Sequence, residues 1–128
     1  MYERILVPLD GSGRAEHALP YAEWIAKRFN STVTLLTGCA QNDPMLRPLS
    51  VYLDKQADDV RKLGIEVNSS CVFGDIAEEI LDCAEKNRIG LIVMTARGAS
   101  GTTRWSLGGV ALKVVLHSNT PILLVRTA

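Results

Sequence analysis

With 128 residues, 47% of them hydrophobic, the chain has the length of one domain around one core, residues 1–128, with no room for a second. Lys plus Arg and Asp plus Glu both total 14, so there is no basic excess to grip a nucleic-acid backbone or an anionic membrane surface. The longest apolar runs, such as Pro121-Ile122-Leu123-Leu124-Val125, fall far short of the roughly 20 residues that span a bilayer.

Met1-Tyr2-Glu3-Arg4 leads straight into apolar Ile5-Leu6-Val7-Pro8-Leu9, which is neither a signal-peptide n-region and h-region nor a cleavage site, and a cytoplasmic location is expected. That apolar run is the first strand. Ala18, Ala22, Ile25, Ala26 and Phe29 recur at helical spacing opposite Arg14, Lys27 and Arg28, which predicts a helix over residues 14–29. Pro20 removes a backbone donor there, so this helix begins late or bends in its first turns. Val33-Thr34-Leu35-Leu36 follows as a strand. Residues 39–48, with Asn42, Asp43, Pro44 and Pro48, read as a loop before a helix over residues 51–63 that Gly64 stops.

Ile65-Glu66-Val67 is the third strand. Asp75 can cap the next helix, with Glu78 three residues on as a capping box and Ile76, Ile80, Leu81 and Ala84 as its buried stripe. Leu91-Ile92-Val93-Met94 is the fourth strand, residues 96–109 are glycine-rich, and residues 110–117 resume a helical pattern. Ile122-Leu123-Leu124-Val125 closes the chain as the fifth strand.

Several of these strands are continuously apolar, as strands covered by helices on both faces must be. Their alternation with helices predicts an α/β fold: a doubly wound, mainly parallel, five-stranded open sheet with helices on both faces. Ligands in such sheets bind beyond the carboxyl ends of the strands at the topological switch point. Residues 8–12, after the first strand, and 95–98, after the fourth, are the candidates for that edge.

Gly98, Gly101, Gly108 and Gly109 lie between a strand and a helix, where backbone amides can cradle a phosphate or the glycines can simply make a long loop. Neither a Walker motif nor a G-x-G-x-x-G opening the first helix is present. Asp10 can accept a hydrogen bond from a sugar hydroxyl or help hold a cation on phosphates; as alternatives, Asp10 or Ser12 caps the first helix. Arg97 and Arg104 can meet phosphate oxygens or stand solvated, and Trp105 can stack on a base or anchor its loop in the core. His17 and His117 stand alone, so no protein-only metal site is expected. Cys39, Cys71 and Cys83 are odd in number, widely spaced and without C-x-x-C, which reads as small buried thiols rather than a redox site. No Ser-His-Asp set is suggested, and a receiver-type phosphoacceptor is missing because Asp10 is alone and the fourth strand ends in Met94-Thr95.

Three stretches together, residues 2–12, residues 74–81 and residues 91–126, resemble the universal stress protein family. Residues 39–63 depart from it, being short, and Thr37-Gly38 stands where the family usually has His-Val. The resemblance implies a Rossmann-like fold of the adenine nucleotide alpha hydrolase type and a small regulatory protein of the stress response without designed catalysis. It also implies a homodimer paired through the C-terminal strand. The nucleotide-binding branch carries G-2x-G-9x-G-[ST]. Here Gly98 and Gly108 keep the nine-residue spacing, while Thr95 replaces the first glycine and Gly109 the closing hydroxyl residue.

The site implied for ATP, or for ADP or AMP, comprises Pro8, Leu9, Asp10, Gly38, Met94, Thr95, Arg97, Gly98, Gly108, Gly109 and Val110, with Mg²⁺ reaching it only through the phosphates. Hydrolysis, if any, is expected to be slow, because Asp10 is the one carboxylate on offer. The alternative is the branch that does not bind nucleotide and acts as a dimeric interaction module, which Thr95 and Gly109 favour.

Overall fold

The computed structural model describes residues 1–97 and 107–127. Along the chain run β1 (Arg4–Pro8), a 3-10 turn (Ala15–Ala18), α1 (Leu19–Phe29), β2 (Thr32–Cys39), α2 (Leu46–Arg61), β3 (Glu66–Phe73), α3 (Ile76–Lys86), β4 (Leu91–Thr95), α4 (Gly109–His117) and β5 (Ile122–Val125). The five strands form one sheet in the order β3-β2-β1-β4-β5, and every pairing is parallel. The order reverses between β1 and β4, which is the switch point. No helix among the described residues is long and apolar enough to cross a membrane.

Helices cover both faces of the sheet. On one face Ile5, Val7, Leu35 and Val93 meet Ala22 of α1 and Leu53 and Val60 of α2. On the other, Leu6, Leu36, Ile92 and Met94 meet Ile80 and Ala84 of α3 and Val114 of α4. Successive residues of one strand thus enter opposite cores, which is why Ile5-Leu6-Val7 and Leu91-Ile92-Val93-Met94 are continuously apolar rather than alternating. Burial of each such aliphatic side chain contributes about 1.5–3 kcal/mol, so fully buried Leu6, Ile5 and Ile92 in the central strands anchor the fold.

One boundary takes one of its two expected forms, and two differ from expectation. α1 begins late, at Leu19, with Pro20 in its first turn, where no intrahelical acceptor awaits the missing N–H. α2 starts at Leu46 rather than residue 51, because Pro48 also falls in a first turn and does not interrupt the helix. β3 runs on to Phe73, paired with β2 along its whole length through Asn68, Ser69 and Ser70. As an edge strand half open to water, it needs no continuous apolar run.

The expected cap of α3 is present: Asp75 Oδ1 accepts from the amides of Ala77 (3.0 Å) and Glu78 (3.2 Å). The other carboxylate oxygen accepts from Lys113 Nζ of α4 at 3.0 Å, tying the two helices together. Lys113 and then the Glu78 amide hold the Asp75 carboxyl below its ordinary value of 3.8. A depressed carboxyl stabilises the fold fully above that ordinary value and loses its contribution as pH falls through the lowered one. The urea midpoint of the wild type is therefore expected to exceed that of Asp75→Asn at pH 7, with the gap closing below about pH 4. Because the pair is exposed, high salt should shrink the gap as well. A gap independent of pH and salt would mean that the Lys113 bridge contributes nothing.

Candidate functional site

β1 and β4 lie side by side, and the chain leaves their carboxyl ends toward opposite faces: from β1 into the 3-10 turn and α1, from β4 toward α4. A cleft of about 260 Å³ opens between the two exits. Pro8, Leu9 and Asp10 line it from β1, with Ala15 of the following turn; Met94 and Thr95 line it from β4; Ile76 and Ile80 come from α3; Gly108, Gly109, Val110 and Ala111 come from the start of α4. The walls are mostly aliphatic. Their polar equipment is the Asp10 carboxylate, the Thr95 hydroxyl and the first turn of α4.

Asp10 Oδ1 accepts from Ser12 N (2.9 Å) and Ser12 Oγ (2.5 Å), and Ser12 Oγ in turn accepts from Ala15 N at 3.2 Å. Ser12 is thus the group that caps the turn before α1, and Asp10 braces Ser12. Gly11, at φ +87°, supplies the left-handed backbone this reversal requires. On the α2 side, the Tyr52 phenol donates to Glu16 Oε2 at 2.6 Å. Burial, then Glu16, and finally the charge of Asp10 push that phenol well above its ordinary range.

Two helices begin at the cleft, and the first amides of any helix lack intrahelical acceptors. In α3 the Asp75 side chain answers two of them. In α4 the N-cap is Gly108, which brings no side chain, so the partial positive charge of that terminus has no carboxylate at its cap. Gly108 N donates to the Ala96 carbonyl at 2.8 Å, which fixes the start of α4 against the end of β4. A Cβ added at Gly109 would meet nothing within 4 Å.

Of the residues singled out in the sequence, Pro8, Leu9, Asp10, Met94, Thr95, Gly108, Gly109 and Val110 are brought together here. Thr95 is buried, and its hydroxyl donates to the Arg97 carbonyl at 2.8 Å; its proton is spent inside the turn and it can only accept from a ligand. Arg97 is not in the described lining, because its guanidinium donates to the Thr127 carbonyl. Gly38 is not in it either. A Cβ there would stand 3.0 Å from Ile76 Cδ1 and 3.2 Å from the Val72 carbonyl, so glycine lets α3 settle on β2 and set one wall. Gly98, Gly101, Arg104 and Trp105 lie outside the described residues.

Ala15, Ile76, Ile80 and Ala111 were not anticipated. Their helical spacing marks a buried stripe, and nothing local in sequence separates a core position from a cleft wall; only the Asp75 cap, which fixes where α3 begins, hinted at Ile76. Among the described residues no group of three or more His, Cys, Asp or Glu is placed to hold a metal ion.

Residues 1–126 match the model of the universal stress protein family. Universal stress protein MJ0531 of Methanocaldococcus jannaschii is 29% identical, over 98% of this chain and 83% of its own length. Among solved structures, that of protein MJ0577 superposes with a TM-score of 0.85 at 26% identity, covering 100% of this chain and 98% of that one. A universal stress protein solved in complex with cAMP superposes with a TM-score of 0.83 at 24% identity, over 99% of this chain and 98% of its own.

Proposed function

This chain belongs to the universal stress protein family, and on that premise we propose that it is a cytoplasmic regulatory protein that binds an adenine nucleotide in the cleft between β1 and β4. The observation that carries this is the start of α4: a helix N-terminus whose N-cap, Gly108, offers no side chain, opening on an aliphatic cleft beside Asp10. A phosphate suits the helix terminus, the base suits the apolar walls, and a ribose hydroxyl suits Asp10. The cleft volume lies just under the range of about 300–1,000 Å³ usual for small-molecule sites. A universal stress protein of the same fold has been solved in complex with cAMP, which supports an adenine nucleotide as the ligand class proposed for this chain. ATP is the form proposed for this chain, with ADP and AMP as weaker ligands and Mg²⁺ held through the phosphates. No catalytic turnover is assigned to it.

Gly109→Ser tests the assignment by gain. The new Cβ enters open space, and a hydroxyl at the helix start adds one hydrogen bond to phosphate, worth about 1 kcal/mol or roughly fivefold in Kd. An unchanged Kd for ATP would separate the phosphates from the start of α4.

A second reading, a dimeric interaction module without nucleotide, is favoured by one specific observation. Thr95, where the nucleotide-binding motif has glycine, cannot compensate the hydroxyl missing at Gly109, because its own proton is committed to Arg97. On either reading the chain is proposed to pair with a second copy through β5, which stands at the edge of the sheet.

A further inference from the structure

Cys39 and Cys71 are far apart in sequence, but the fold makes them neighbours. In the β2–β3 register Cys39 stands opposite Phe73 and Cys71 opposite Thr37, so the two cysteines are diagonal neighbours. They also share a face. Val33 and Leu35 of β2 and Val67 of β3 enter the core under α1 and α2, and Ser69 donates to Asp54 of α2; alternation then puts Cys39 and Cys71 on that same side. Each of the two thiols is only partly buried. The expectation of small buried thiols is therefore corrected, since Cys39, Cys71 and Cys83 are all only partly buried. Cys83 is different: it lies in α3, on the opposite face, and its sulfur accepts from Asn87 Nδ2 at 3.2 Å.

We propose that Cys39 and Cys71 are a dithiol modification site that closes reversibly to an intramolecular disulfide by exchange with a low-molecular-weight disulfide. In the first step one thiolate attacks a sulfur of the small disulfide, forming a mixed disulfide and expelling one small thiolate. In the second, the other cysteine attacks the protein sulfur of that mixed disulfide and expels the second small thiolate. Two electrons pass from the protein thiols to the small disulfide, and the two thiol protons end on solvent or on the released thiolates. Burial first, and then the neighbouring Cys39, push the Cys71 thiol up, which disfavours Cys71 as the first attacker.

The geometry makes the bond formable and labile. Diagonal neighbours on paired strands have Cα atoms about 7–8 Å apart, whereas a disulfide spans about 4.4–6.8 Å, so closure needs a small strand shift. That shift falls where the sheet yields most easily: β3 is an edge strand paired only with β2, and Cys39 is the last residue of β2. A bond closed under such strain is more easily reduced than a structural one, which is the property of a reversible site.

The test is exposure of the reduced full chain to excess glutathione disulfide at mildly alkaline pH, followed by thiol titration, intact mass and peptide mapping. Free thiols should fall from the three of the sequence to one, with a mass loss of two hydrogens, a Cys39–Cys71 cross-linked peptide, and full reversal by dithiothreitol. Cys71→Ser should instead trap a stable glutathione adduct on Cys39. Three surviving thiols, a bond that includes Cys83 or a second chain, or persistent adducts on both cysteines of the wild type without closure would each overturn the proposal. The wild-type result decides even if the variant does not fold.

Discussion

Gly109→Asp is expected to weaken ATP binding more than tenfold while leaving the fold intact. The added Cβ meets no neighbour, and an acidic side chain in the first turn of α4 is favoured by the helix dipole by about 0.3–1 kcal/mol. The same carboxylate would stand where the phosphate is proposed to bind. Two like charges about 4 Å apart at an effective dielectric near 20 repel by about 4 kcal/mol. Even after screening removes most of that, more than the 1.4 kcal/mol of a tenfold change remains. Gly109→Asn carries the same shape without the charge and should stay within about twofold of wild type. Urea unfolding of both variants, set beside their calorimetric Kd for ATP, checks the prediction. If Gly109→Asp binds as tightly as Gly109→Asn, the nucleotide's charge is not at α4.

Leu124→Pro is expected to convert a dimer into monomers. The carbonyls of Pro121 and Val125 accept from the amides of Ile92 and Ala96, so residues 121, 123 and 125 turn their backbone groups toward β4. By alternation the N–H and C=O of Ile122 and Leu124 point outward from the sheet edge. Those outward groups, unblunted by charge or proline, are the ones a second copy can pair with across a two-fold axis. A shallow apolar depression formed by Pro20, Tyr21, Trp24, Ile25 and Leu123 adjoins the same edge, with Trp24 61% exposed, and a second copy would cover it. Proline at 124 removes one outward donor and spares the inner ladder. The register also shows why Leu123→Pro is the poorer test: it would break β5 away from β4. Sedimentation velocity at tens of micromolar, where a contact of about 8 kcal/mol is largely assembled, should show a wild-type dimer and a Leu124→Pro monomer. A monomeric wild type would remove this interface.

The fold was legible wherever burial on two faces leaves a continuous apolar signal. Leu91-Ile92-Val93-Met94 and Ile5-Leu6-Val7 could only be strands between helices, and Asp75 marked the start of α3 by its capping chemistry. Legibility failed where a signal has two physical meanings. Pro48 ends a helix in its interior but is harmless in a first turn, and Asn68-Ser69-Ser70 is polar because β3 is an edge strand, not because it is a loop.

The floor of the candidate site could be read because Pro8, Leu9, Asp10, Met94 and Thr95 follow strand ends, and the switch-point rule needs only strand order. Its far wall could not. Ile76, Ile80 and Ala111 carry the same helical period as any core residue, and only the folded chain brings them to the cleft wall. Arg97 was drawn toward the phosphates by its charge, but the Thr127 carbonyl holds it elsewhere. The Cys39–Cys71 pair is the extreme case, since cysteine spacing carries no information about strand register.

The central claim, an adenine nucleotide in the cleft between β1 and β4, is tested most directly by calorimetric titration of the wild-type protein with ATP, ADP and AMP at millimolar concentrations, with thermal unfolding followed in parallel. Saturable heat at about one nucleotide per chain is predicted, strongest for ATP. At about a hundredfold excess over Kd, mass action should add roughly 2.7 kcal/mol of stability. Absence of both heat and thermal stabilisation for all three nucleotides would contradict the claim and leave the dimeric interaction module as the function.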